Sequence, residues 1–162
     1  MKKLTTTMLL ALFISVSAFA TDGKKVSTEK ESKVSKNVSI SFLQDFKSAS
    51  NVSWNKTAEF YFAEFKLKEE TMSAAYDEDG VLLGMARNIK FSDLPMSAQE
   101  ALGDRFTKYS FKENVTEIMY DGETNYYLLA EGKNKDLKIK CSPAGNITVE
   151  KTIKKQVLPV VY

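Results

Sequence analysis

Moved along by 65 positions, the first half of this chain falls on its second: Tyr61 lands on Tyr126, Phe62 on Tyr127, Met72 on Leu137, Ala74 on Ile139, Gly80 on Gly145 and Leu82 on Ile147. Self-similarity at a fixed offset marks one supersecondary unit used twice, so the fold must be one that two copies of the unit can build. In the first copy, Phe42, Leu43, Phe46 and Ala49 recur at helical spacing behind Ser39, which predicts a short amphipathic helix capped by that serine. Four segments rich in aromatic and apolar residues follow, at 52–54, 59–67, 71–76 and 81–89. The polar breaks between them, the last being Asp77-Glu78-Asp79-Gly80, have the length that joins antiparallel neighbours.

The order then recurs. Asp93-Leu94-Pro95 opens a second helix with Ala98, Ala101, Leu102 and Phe106 as its apolar stripe, and strands are expected at 115–120, 125–131, 137–141 and 147–153. The joint from helix to first strand is about five residues longer in this copy. The expected fold class is therefore α+β, a tandem repeat of a helix plus a four-stranded antiparallel meander, with repeat one at 39–92 and repeat two at 93–155.

Outside the repeats the chain reads differently. Lys2 and Lys3 precede an uncharged apolar run from Met8 to Ala20 that ends in Ala18-Phe19-Ala20, the small-x-small pattern of a cleavable signal peptide, so residues 1–20 are expected to be removed. The run is too short for a comfortable membrane span, and the single cysteine, Cys141, is far from the cleavage point, where a lipid-acceptor cysteine would stand. Residues 21–38 are rich in Lys, Ser and Glu and read as a flexible leader; 156–162 form a C-terminal tail. A periplasmic or secreted location follows, with no membrane span after cleavage. The remaining chain, about 140 residues, is long enough to bury roughly 68–70% of its unfolded surface without staples.

The whole sequence has 23 basic and 21 acidic residues, and the two lysines of the signal account for the excess. A balanced charge gives no field for a polyanion, so nucleic acid is not an expected partner. With no histidine at all, the usual general base, the histidine-dependent nucleophile systems and the commonest zinc ligand are absent. Neither catalytic residues nor metal ligands nor a cofactor are expected. Asp77, Glu78 and Asp79 read as a hairpin turn, a cation site being the open alternative, because the chain enters Val81-Leu82-Leu83 where an EF-hand loop would continue. Alternation places Cys141 beside Leu137 and Ile139 as a small buried hydrophobe. The Asn-x-Ser/Thr triplets at Asn37, Asn51, Asn55, Asn114 and Asn146 read as polar turn residues, and Trp54 as a ring packed beneath a helix.

The second strand of each repeat is apolar on both faces, where a sheet covered on one side should alternate. Tyr61, Ala63, Phe65 and Leu67 make one face and Phe60 and Phe62 the other; in the second repeat Tyr126, Leu128 and Ala130 stand against Tyr127 and Leu129. With helices over the first set, Phe60, Phe62, Tyr127 and Leu129 are the candidate binding residues on an open face. The competing expectation is that the leader, the tail or a second copy of the chain covers them.

Val52-Ser53-Trp54, the run from Tyr61 to Phe65, Tyr76-Asp77-Glu78-Asp79-Gly80, Asp93-Leu94-Pro95 and the run from Tyr126 to Leu129 together resemble the PepSY-like, β-lactamase-inhibitor-protein-like family of small periplasmic proteins, over residues 39–155. The resemblance implies one curved antiparallel sheet with both helices on one face. In the β-lactamase inhibitors the free concave face grips the enzyme, which implies a non-catalytic envelope module that binds a protein or peptide and can act as an inhibitor of an envelope enzyme or peptidase. The alternative is a structural, self-associating protein whose open face is buried in a homodimer.

Overall fold

Val34, Val38, Phe42 and Phe46 stand four residues apart, one above another on a helix, and this stripe sets where the first element begins. The computed structural model describes residues 34–155, and helix α1 spans Lys36–Asp45. The expected signal segment, most of the leader and the tail lie outside the described residues. Ser35, not Ser39, is the N-cap: its Oγ accepts from the Val38 N–H at 3.2 Å. Val38, read from sequence as part of a leader, is fully buried, because the Val34–Phe46 stripe outweighs the polar composition around it. Asn37, read as a turn residue, is helical for the same reason.

The chain divides into two compact units, one up to Arg87 and one from Asn88 onward. Both are α+β, and all their strand pairings are antiparallel. In the first, α1 is followed by β1 (Ala49–Lys56), β2 (Tyr61–Leu67), β3 (Glu70–Tyr76) and β4 (Leu82–Lys90), which crosses the division. Each strand pairs with the next in sequence. β1 is bulged between Ser50 and Ser53, where Asn51 takes a positive φ of 52°. A bulge of this kind interrupts the row of free backbone groups that an edge would offer to another chain.

In the second unit a single 3-10 turn, Phe91–Asp93, precedes helix α2 (Met96–Arg105), with Pro95 as its N-cap. Then come β5 (Ser110–Phe111), β6 (Asn114–Tyr120), β7 (Glu123–Glu131), β8 (Lys135–Cys141) and β9 (Ile147–Lys154). β6 to β9 pair in sequence, and the two-residue β5, not expected from sequence, pairs with β7. The β6–β7 hairpin turns on Asp121 and Gly122, both at positive φ, the pattern that an Asp-Gly pair supports.

Helix and strands meet through one face of each meander. In the first unit Val38, Phe42 and Phe46 pack on Tyr61, Ala63, Phe65, Ala74 and Tyr76. Phe42 is the hub, its ring 5.0 Å from Phe65, 5.1 Å from Trp54 and 5.4 Å from Phe46, so Trp54 does lie under the helix. The Tyr76 hydroxyl donates to Asp45 Oδ2 at 2.8 Å, fastening β3 to the end of α1. In the second unit Ala98, Leu102 and Phe106 pack on Val115, Tyr126, Leu128, Ala130, Leu137, Ile139 and Cys141. Ser97 Oγ donates to the Pro143 carbonyl at 2.6 Å, and Arg105 Nη1 to the Ile147 carbonyl at 3.1 Å.

Candidate functional site

The register assigns every strand residue to a face. In β2, Tyr61, Ala63, Phe65 and Leu67 point to α1, and in β7, Tyr126, Leu128 and Ala130 point to α2, as the alternation predicts. The opposite, outer face of the first unit carries Phe62, Ala75 and Gly84 in one cross-strand row and Glu64, Ser73 and Ala86 in the next. That of the second unit carries Thr116, Tyr127 and Lys140 in one row, followed by Leu129, Lys138 and Lys151.

The four candidate residues lie on these outer faces or their rim, but they are not equally open. Phe62 and Leu129 are half-buried, whereas Phe60 and Tyr127 are only 6% and 8% exposed. The expectation of four exposed side chains is corrected accordingly. Phe60 precedes β2 and closes a tight turn: its N–H donates to Thr57 Oγ1 at 3.1 Å and its carbonyl accepts from the Thr57 N–H at 2.9 Å. That turn brings its ring to 6.4 Å from the Phe62 ring, edge to face. Tyr127 is central in its meander, between Thr116 and the half-buried Lys140, whose aliphatic stem can cover a neighbouring ring.

Tyr127 differs from the other buried aromatics in one respect: its hydroxyl is buried without a hydrogen-bond partner among the described residues. Burial, and secondarily the charge of Glu150, pushes the phenol up to about 12. Buried hydroxyls are normally satisfied, which makes this oxygen the exception in a core that otherwise follows the rule. Sequence reasoning reached Tyr127 through its face alone; the orphaned hydroxyl left no signal there.

The Asp77–Gly80 segment has a fully local explanation. Asp77 Oδ1 accepts from the Asp79 N–H at 3.0 Å and the Val81 N–H at 2.8 Å, and Gly80 takes the positive φ of 86° that closes the turn. No group of acidic, cysteine or histidine side chains suited to a metal occurs among the described residues. Adding calcium or EDTA is therefore expected to leave the melting temperature unchanged; a calcium-dependent rise of several degrees would show that the turn holds a cation. Cys141 is fully buried among the α2-facing residues, and burial raises its thiol pKa, which makes it a poor nucleophile.

No helix among the described residues is long and apolar enough to cross a membrane. No family model matches the chain, and no curated protein matches it. Solved structures do. A BLIP-like protein from Bacteroides fragilis NCTC 9343 is 16% identical with a TM-score of 0.64, covering 78% of this chain and 94% of its own. A candidate periplasmic protein from Bacteroides eggerthii DSM 20697 is 15% identical with a TM-score of 0.64, covering 76% and 90%. A DUF2874 family protein from Bacteroides uniformis ATCC 8492 is 14% identical with a TM-score of 0.64, covering 74% and 88%. At these identities the likeness is one of fold, and it extends over nearly the whole of each neighbour.

Proposed function

We propose that this chain is a non-catalytic binding protein of the cell envelope that engages a protein or peptide through the sheet faces turned away from its helices. The observation that carries this reading is the placement of Phe62 and Leu129, half-exposed apolar side chains outside both helix-facing clusters. They lie one residue of register from the helix-facing residues Tyr61 and Ala63 on β2 and Leu128 on β7, so the cores do not need them. The absence of histidine and the burial of Cys141 support a role that involves no catalysis. The expected signal segment at 1–20 and the description of the Bacteroides eggerthii neighbour support the envelope location. Inhibition of an envelope enzyme or peptidase is the form of binding that the BLIP-like neighbour's name suggests.

The test compares the chain lacking residues 1–20 with its Phe62→Ser and Leu129→Ser variants. Emptying a half-buried apolar position is expected to cost about 1 kcal/mol each, leaving both variants folded. Envelope proteins retained by the parent and absent from both variants would support the reading. Retention that survives both changes places binding elsewhere, and a parent that elutes as a dimer which the variants break assigns the faces to self-association.

A further inference from the structure

On the outer face of the second unit, Lys138 of β8 stands directly opposite Lys151 of β9, and Lys140 lies one step along, opposite Thr148. Like charges across a strand pair repel and are ordinarily compensated. The acidic pair on the same face shows how. Glu131 and Asp136 also stand opposite each other, and each holds a lysine, Lys112 at 3.3 Å and Lys155 at 3.0 Å. Lys138, Lys140 and Lys151 hold no hydrogen bond or ion pair among the described residues. Glu150, at the bulge of β9, is the one acidic side chain among the described residues that acts on Tyr127, and it leaves this part of the face with a net positive charge. Beside the lysines are Leu129, opposite Lys138, and Tyr127, opposite Lys140, with its buried, unpartnered hydroxyl.

Uncompensated cations and a half-exposed apolar side chain therefore share two adjacent cross-strand rows. We propose that this face takes a segment of a protein partner that presents a carboxylate beside an apolar side chain, the carboxylate held by Lys138 and Lys151, the apolar group on Leu129. Charge complementarity selects an anion, and the adjoining apolar surface selects one borne on a peptide over a free ion. This specifies the chemistry of the partner in the binding function above and rests on that reading.

The experiment uses the chain lacking residues 1–20, labelled with 15N, and a synthetic capped peptide alternating Glu with Phe. Its Gln-for-Glu counterpart, inorganic phosphate and vesicles containing phosphatidylglycerol serve as further probes. The acidic peptide is expected to shift the amide signals of Tyr127, Leu129, Lys138, Lys140 and Lys151, and the Gln peptide is expected to bind at least about tenfold more weakly, the order of one lost charge-assisted contact. Lys138→Gln with Lys151→Gln is expected to abolish the shifts while the melting temperature stays level or rises, since a repulsive pair is removed. Equal binding of the two peptides, or shifts caused by phosphate or vesicles alone, overturns the proposal. If envelope proteins are still captured by the double lysine variant but lost with Phe62→Ser and Leu129→Ser, the binding function stands and this charge-directed site fails; loss of neither sinks both.

Discussion

In the Phe65→Ala variant the first unit is expected to lose about 3–5 kcal/mol, out of the roughly 5–15 kcal/mol that a domain of ordinary stability possesses. Phe65 is 1% exposed and its ring lies 4.6 Å from Phe46 and 5.0 Å from Phe42, with Met72 opposite it on β3. The void cannot readily collapse, because Phe42 is also held by Trp54 and Tyr76, and Tyr76 is tied to Asp45. The upper part of the range is therefore the expected one. Phe62, three residues earlier on the same strand and on the other face, is half-buried and should cost about a third as much when truncated. Trp54 is the only tryptophan and its ring packs on Phe42, so its fluorescence in a urea titration reports the unit in question. Equal midpoint shifts for the two variants would falsify the assignment of faces.

That assignment was legible in the sequence because strand side chains alternate, and an error of one residue would have reversed it. The alternation placed Tyr61, Phe65, Tyr126 and Leu128 against the helices and Cys141 among them, where they lie. Trp54 was equally readable, since it is a large ring in a strand beside a helix that needed a partner. The start of α1 was not. Composition around Val34 and Val38 is that of a solvated leader, and only the four-residue spacing to Phe42 and Phe46 betrays the helix. The strand β5 has two residues, too few to express a period, and exists through its pairing with Glu131 and Ala130.

Burial on the outer faces is not legible in the sequence, for a related reason. Periodicity says which way a side chain points and is silent on what its neighbours cover. Ala75 and Ile118 lie on outer faces by register and are nonetheless almost fully buried, as Tyr127 is. At these positions the neighbours on the flanking paired strands cover the side chain although it points outward, whereas Glu64 and Lys138, equally central, stay exposed. The uncompensated Lys138–Lys151 pair could not be seen without the β9 bulge, which sets their register.

The glycines give the second large effect, with controls inside the same chain. A Cβ on Gly145 would stand 2.8 Å from the Ser97 carbonyl oxygen and 3.0 Å from Ala101 Cβ, both on α2, and the residue has a φ of 82°. Gly80 meets α1 in the same manner, 2.9 Å from Ser41 Oγ and 3.0 Å from the Asn37 carbonyl, with a φ of 86°. In both turns the chain passes close to the helix backbone, so only a residue without a side chain fits. Two penalties add for Gly145→Ala: about 1–2 kcal/mol for a left-handed backbone and about 1–3 kcal/mol for pushing the helix from its strands. The expected loss is about 2–5 kcal/mol, with Gly80→Ala similar or slightly milder, because the Ser41 hydroxyl can rotate away while the Asn37 backbone cannot. Gly122 has a φ of 73° but nothing within 4 Å of its Cβ, so Gly122→Ala carries only the backbone penalty. Gly103 lies within α2 with open space around it, and alanine there is expected to raise stability by about 0.5–1 kcal/mol. Urea midpoints for the four variants should fall in the order Gly103→Ala, parent, Gly122→Ala, Gly80→Ala, Gly145→Ala. If Gly145→Ala and Gly80→Ala cost no more than Gly122→Ala, the close approach of these turns to their helices is not a constraint on the fold, and their positive φ alone explains the glycines.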